Sequence, residues 1–475
     1  MNFKNNRTLS RGYKFARAAS WLYFILSFLV LLYTYWQAEI VFDGSLDGLF
    51  FKFYLISIVA IIFWGIILRL KDEVKLNTVI MTCSLIFGLY AVELVLYFAE
   101  PQKNIPGADV ALKLGVSFDK RSKIKVVSDL QKNGIDVVPS VYPWAFIKKL
   151  KSKDSNGSIS LLPLGGVSNK TVVYCNESGE YTIYRSDRYG FNNPDREWDD
   201  KKIKWFLTGD SFAQGACVKP VDSIARKISQ LTGDSSLSVG IGGNGPLIEL
   251  AALKEYAEKL RPENVLWVYF EGNDLLDLNE EKEISVLTNY LDDGFSQNLR
   301  NRQSEVDLIL SSYISTEKIN AEQEDARKKE IDEARSGMRS TRIIRLYHLR
   351  ARLNFNWYGA IPDNDLDLAL FSKILLKAKN RVNSWGGNFY FIYLPDFERY
   401  STNFNDNIAP LKKRNDIIDI VKNLNIPVID IHKEVFKNHP NPRSLFPFSV
   451  GGHYTPLGYQ LVTSSIVEGV RKSIK

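Results

Sequence analysis

Cysteine and histidine are the scarcest chemistry-bearing residues in this 475-residue chain, with three of the first and four of the second. Cys83, Cys175 and Cys217 have neither the paired spacing of a metal-binding motif nor the density of a disulfide scaffold. Cys175 and Cys217 could bridge if their segments meet in an oxidising compartment, and two free thiols are the other reading. A long Lys/Arg stripe is also missing. The net charge is +7, but the excess is dispersed, so nucleic acid is excluded as a partner. Apolar runs, in contrast, are concentrated in the first hundred residues.

Three of those runs, Trp21–Ala38, Phe50–Leu68 and Thr78–Phe98, are each long enough to cross a hydrocarbon core of roughly 30 Å as a helix. The first lacks the small-residue cleavage site of a signal peptide. Lys4, Arg7, Arg11, Lys14 and Arg17 precede the first run, and Arg69, Lys71 and Lys75 follow the second. Glu39, Asp43 and Asp47 lie between the two. The positive-inside rule then predicts a cytoplasmic N-terminus and an extracytoplasmic remainder from about Glu100, periplasmic in a cell with two membranes. Glu93, inside the third run, reads either as a functional carboxylate or as one that reaches water or a neighbouring helix.

The remaining chain divides by pattern. Residues 1–99 form the anchor. Residues 100–200 read as a stalk and small β-rich lead-in, with β-like stretches such as Lys123–Val127, Thr171–Tyr174 and Tyr181–Tyr184. It ends in Ser186-Asp187-Arg188-Tyr189-Gly190-Phe191. Over residues 201–475, apolar strands alternate with helical segments, as a doubly wound parallel sheet requires. The predicted strands are Trp205–Leu207, Leu237–Ile241, Val265–Phe270, Asn388–Leu394 and Pro427–Ile431, and Gly458–Ser473 is the closing helix. A charged, helical insertion is expected over 278–356, with a Lys/Glu/Arg-rich core at Glu317–Arg335 and a basic stretch at Arg339–Arg352. It reads as a solvated helix face, or as a lid over an anionic ligand.

Four loops at strand ends carry the chemistry that acyl transfer needs: a nucleophile, a base and oxyanion donors. Ser211 follows the first strand in Thr208-Gly209-Asp210-Ser211. Gly243 lies in Gly242-Gly243-Asn244-Gly245-Pro246, Asn273 in Glu271-Gly272-Asn273-Asp274, and His453 opens the last helix after Gly451-Gly452. Ser211 is the candidate nucleophile and His453 its base. The backbone N–H groups of Ser211 and Gly243 and the Asn273 amide are the candidate oxyanion hole, and Asp210 supports the turn.

In that order the four blocks resemble the SGNH hydrolases, the GDSL esterase/lipase superfamily, and with the anchor they are similar to its membrane-anchored bacterial members associated with surface polysaccharides. The resemblance implies a flavodoxin-like α/β/α sandwich behind three transmembrane helices and a serine esterase or acyltransferase without metal or other cofactor. Its implied partners are an O-acetylated glycan, the lipid bilayer and polysaccharide-assembly proteins. The family's aspartate three residues before the histidine is replaced here by Val450. A backbone carbonyl, Asp396 or Asp430 could hold His453 instead, the site could work as a dyad, or the protein could be a decayed, glycan-binding relative.

Overall fold

The computed structural model describes residues 5–41, 47–99, 107–151, 161–317, 346, 349, 366–400 and 413–474. They fall into two compact units, one formed by Met1–Gln102 with Arg327–Ala360 and the other by Lys103–Ala326 with Ile361–Lys475.

The first unit is built on three helices, Asn5–Tyr35, Asp47–Ile67 and Asp72–Ala99. Two stretches, Arg11–Ile40 and Asp72–Leu96, are long and apolar enough to cross a membrane, and the apolar stretch Phe53–Ile67 of the middle helix is shorter. Tyr23 stacks on Trp64 with ring centroids 4.7 Å apart, and Trp64, Ile67 and Val79 form the small core between the helices. Elsewhere the helices turn their apolar side chains outward: Trp21, Leu29, Tyr33, Ile62, Leu85 and Phe87 are all about half exposed or more. Glu93 is buried and accepts the Leu349 N–H at 2.7 Å.

The second unit carries two sheets. Strands β1 (Val137–Pro139), β2 (Thr171–Val173) and β3 (Ile183–Arg185) make the smaller one, in that order, with β1 parallel and β3 antiparallel to β2. The larger sheet contains β4 (Trp205–Gly209), β5 (Ser236–Ser238), β6 (Asn264–Phe270), β7 (Asn388–Leu394) and β8 (Val428–Asp430). Its order is β5-β4-β6-β7-β8 and every pairing is parallel. This is the flavodoxin-like order, whose strand reversal at β4 puts a crevice beyond the carboxyl ends of the strands. All five expected strands are present. They read as continuous apolar runs because helices cover both faces. One core, with Trp267, Tyr269 and Phe391, packs against Pro246–Ala252 and Leu368–Ser384. The other, with Leu207, Val268 and Ile392, packs against Ile224–Thr232 and Pro456–Ile474.

The lead-in differs from expectation at Lys123–Val127, which belongs to a helix, Lys123–Lys132. Val126 and Val127 are β-branched, yet Ser122 caps the helix by accepting the Lys125 N–H, and the two valines pack with Leu130 against Val137 and Val173. Capping and one apolar face overrode β-propensity. The Ser186–Phe191 motif is a turn wound around one carboxylate. Buried Asp187 accepts the N–H groups of Tyr189 and Phe191, the Asn193 amide and the Trp198 indole at 2.7–2.9 Å. Asn193 in turn exchanges hydrogen bonds with the backbone of Ser238, tying the lead-in to β5.

The insertion opens with short helices, Ser285–Thr288 and two 3-10 turns, followed by a helix over 303–317. Its Lys/Glu/Arg-rich core and most of its basic stretch lie outside the described residues.

Candidate active site

Ser211 begins a one-turn helix, Ser211–Gln214, directly beyond β4. Asp210 caps that helix by accepting the Phe212 N–H at 2.9 Å, and Gly215 ends it in the left-handed conformation. The tight cap therefore leaves the Ser211 hydroxyl at the carboxyl edge of the sheet, half-buried but open to a ligand. At the far end of the chain, His453 stands just before the helix Pro456–Ile474, its ring against Phe212 with centroids 4.8 Å apart. His453 Nε2 and Ser211 Oγ are 2.8 Å apart.

The residue that orients the histidine is Glu177. Its Oε1 lies 2.8 Å from His453 Nδ1, and its Oε2 accepts the His453 backbone N–H at 2.7 Å. Neither Asp396 nor Asp430 holds the imidazole. Asp430 pairs with Arg414, and Asp396 accepts the Glu398 N–H. Glu177 comes from the loop joining β2 to β3, and that loop is built to present it. Asn176 Oδ1 accepts the Gly179 N–H, Asn176 Nδ2 donates to the Asp119 carbonyl, and Thr182 N–H closes the loop onto the Cys175 carbonyl. Opposite, Gly452 has φ +92°, and a Cβ there would lie 2.5 Å from Glu177 Oε2, so only glycine lets the two loops meet.

With a carboxylate on Nδ1–H, the tautomer follows: Nε2 carries the lone pair and accepts the Ser211 proton. Burial lowers the His453 pKa, but the Glu177 charge and hydrogen bond more than offset this, and the net shift is upward. For Glu177, burial raises the pKa and the His453 charge and hydrogen bonds lower it further, for a net downward shift. Glu177, Cys217 and His453 bring ligand-type atoms within 4.8 Å of one another. They do not make a metal site, because Cys217 is bonded to Cys175 and both imidazole nitrogens are engaged.

The two candidate oxyanion loops are pinned to the same edge. Gly242 N–H donates to Gln214 in the Ser211 helix, and Asn244 Nδ2 donates to the Gly209 carbonyl. Gly243 has φ +76°. The helix Asp274–Glu281 supports both loops through acids on one face. Asp274 accepts the Phe270 N–H, and Asp277 takes one proton of the Asn273 amide at 2.6 Å. Glu281 accepts the N–H groups of Gly245 and Leu247 at 2.6 and 2.8 Å. The Asn273 carbonyl oxygen, Oδ1, is buried without a partner. Burial pushes Asp277 up to about 7 and raises Asp274, Glu281 and neighbouring Glu249 well above the carboxylate range. If Asn273 is an oxyanion donor, Asn273→Ala lowers kcat about 100- to 1000-fold with KM little changed, measured on a chromogenic acetyl ester.

Trp144 stands at the rim. Its Cβ is 3.5 Å from where a Cβ on Gly243 would lie, and 40% of its surface is exposed.

No family model matches the chain, and neither does any curated protein. Solved structures that it is similar to include a lipase/acylhydrolase from Enterococcus faecalis, 15% identical, covering 57% of this chain and 96% of that one, TM-score 0.31. An acetyl xylan esterase is 12% identical, with 56% and 100% covered and TM-score 0.33. A G-D-S-L family lipolytic protein from Veillonella parvula is 12% identical, with 56% and 97% covered and TM-score 0.30.

Proposed function

We propose that the protein is an SGNH-type serine esterase or acyltransferase that works through a Ser211-His453-Glu177 triad. The observation that carries this reading is the unbroken relay from Ser211 Oγ through both imidazole nitrogens to Glu177, with 2.8 Å at each step. In the proposed cycle Ser211 attacks an ester carbonyl and His453 takes its proton. The oxyanion is met by the Ser211 and Gly243 N–H groups and the Asn273 amide. His453 returns the proton to the departing alcohol, and water or a sugar hydroxyl then releases the acyl group from Ser211. Asp210 shapes the turn. The alternative reading, a decayed site, rested on Val450; the Glu177 carboxylate beside His453 supports the catalytic reading instead.

The acyl group is proposed to be acetyl and its carrier a surface glycan. Trp144 supports a sugar: a tryptophan that is 40% exposed beside the Gly243 loop offers apolar surface against which a ring can pack. Trp144→Ala is expected to raise KM for an O-acetylated oligosaccharide about two- to thirteenfold, from about 0.5–1.5 kcal/mol of stacking. Turnover of p-nitrophenyl acetate should not change.

The protein is also proposed to sit in the cell membrane through three N-terminal helices, with its N-terminus cytoplasmic and the triad on the outer side, where polysaccharide-assembly proteins would be its neighbours. Support comes from the outward apolar faces of those helices, which water would not tolerate over such an area. The Cys175–Cys217 bond also suits an oxidising compartment.

The test is active-site titration of the full chain in detergent with a fluorophosphonate and p-nitrophenyl acetate. One label per chain, on the Ser211 peptide, together with an acetyl burst establishes the nucleophile. A folded protein that neither labels nor turns over rejects the enzyme reading.

A further inference from the structure

A second cavity lies at the other end of the large sheet. It has a volume of about 480 Å³ and is lined by Lys254, Glu255, Glu258, Lys259, Arg261, Ser296, Asn298 and Arg300. Arg261 comes three residues before β6, so the cavity opens at the amino end of a strand whose carboxyl end leads to Asn273. Seven residues of strand separate the two places by roughly 23 Å.

The charges around this cavity do not cancel. Glu255 is saturated from within, accepting from Tyr290 Oη, Ser296 Oγ and the N–H groups of Gln297 and Leu299 at 2.6–2.8 Å. Lys254 donates to the carbonyls of Tyr290 and Asp292, and Glu258 pairs with Arg381. Three cations are left. Among the described residues, Lys259, Arg261 and Arg300 make no ion pair, and Lys259 and Arg261 no side-chain hydrogen bond.

Two further features of this wall point to a ligand. The Arg300 guanidinium lies over Tyr189 and Trp198, 5.3 and 5.7 Å from the ring centroids. Its Nε reaches the Tyr189 hydroxyl at 3.3 Å, but its Nη1 is buried without a partner. A buried guanidinium nitrogen left unpaired is costly unless something arrives to accept its proton. Arg261, moreover, has φ +47° at the end of a helix, where glycine is the ordinary residue. Despite that backbone conformation, the position carries a cationic head group at the cavity wall.

We propose that this cavity binds the oxyanion of an acidic sugar unit, a carboxylate or a phosphate. Arg300, Lys259 and Arg261 neutralise the charge, and Asn298 Nδ2 donates to the ring substituents. The cavity is several times larger than a bare anion requires and falls within the range of small-ligand sites. That the sugar belongs to the substrate polymer rests on the esterase reading of Ser211, and the binding itself does not. A site roughly 23 Å from the reacting ester would hold an acidic glycan without touching the chemistry.

Calorimetric titration of full-length Ser211→Ala in detergent tests this with four probes: tri-galacturonate, glucose 1-phosphate, inorganic phosphate and neutral maltotriose. One or both acidic sugars should bind at least tenfold more tightly than inorganic phosphate and maltotriose, and the tighter of the two identifies the anion. Arg300→Ala, and separately Lys259→Ala/Arg261→Gly, should weaken that binding at least tenfold. The second variant relaxes the Arg261 backbone, so its Tm should not fall, which separates lost binding from lost folding. In the Ser211 background, neither change should alter p-nitrophenyl acetate turnover. Equal binding of maltotriose, equal binding of inorganic phosphate (an adventitious ion only), no binding of either acidic sugar, or unchanged binding in both variants each overturns the proposal. Because binding is read on Ser211→Ala, a failed esterase assay leaves its outcome intact.

Discussion

Glu177→Gln should lower kcat/KM for p-nitrophenyl acetate by about 10,000-fold, the usual loss when a triad carboxylate becomes an amide. The geometry says why so small a change does so much. Two donors face the two carboxylate oxygens, the His453 backbone N–H and Nδ1–H. Glutamine offers one oxygen and one NH₂. If the oxygen meets the backbone, the NH₂ meets Nδ1 and forces the proton onto Nε2, where Ser211 can no longer be deprotonated. The reverse placement sets NH₂ against the backbone N–H. Fluorophosphonate labelling should slow in parallel, while circular dichroism stays unchanged. A loss under tenfold would make Glu177 structural and leave a dyad.

The pH dependence carries a second signature of the same contact. In the proposed cycle His453 must be neutral to act as base, and its pKa is raised above the ordinary 6.5. The acid limb of kcat/KM should therefore fall above pH 6.5 in the wild type. Without the Glu177 charge and hydrogen bond, burial lowers the imidazole against only the smaller upward pull of Asp210 and Asp396, so the residual activity of Glu177→Gln should show its limb at lower pH. Stability has its own window. The raised His453 contributes stability that is full below 6.5 and lost as pH rises through its folded value. The lowered Glu177 contributes stability that is full above its ordinary 4.5 and lost as pH falls through its folded value. Glu177→Gln should thus be most destabilising between pH 4.5 and 6.5.

The contrast between Glu177 and the other site residues shows what a sequence can reveal. Ser211, Gly243, Asn273 and His453 each follow an apolar strand or open a helix, in loops whose Gly, Asn and Asp content is itself a turn signal. Their placement follows from the alternation of strands and helices, and the large sheet was legible for the same reason. Glu177 is a common residue in an ordinary Asn-Glu-Ser-Gly turn of a separate, three-stranded sheet, and it reaches His453 across 276 positions. No periodicity encodes such a contact. Three residues before His453 stands Val450, 42% exposed and without a carboxylate to offer. The two available clues were the glycine pair Gly451-Gly452, which makes room for a carboxylate, and Cys175, two positions before Glu177, whose partner Cys217 follows the Ser211 helix.

That disulfide is expected to be the other large lever on this protein. Cys175 and Cys217 are 42 positions apart, and closing a loop of that length removes chain entropy worth about 4 kcal/mol at 25 °C. Cys175→Ser/Cys217→Ser should therefore lose close to that amount in denaturant unfolding of the full chain in detergent. Stability is only half of the effect. The bond fixes the base of the Glu177 loop to the turn just past the Ser211 helix, so it covalently joins the segments that carry Glu177 and Ser211. Once cut, the loop keeps Asn176 and the Cys175–Thr182 backbone bond, enough to retain its shape but not its distance from His453. Turnover should fall in the double variant and in the reduced wild type alike, with an acid limb moved toward that of Glu177→Gln. Cys83, in the first unit, is free, and its replacement should change neither quantity. If the double variant loses stability but keeps both its rate and its pH profile, the bond holds the fold alone and Glu177 is positioned by its own loop.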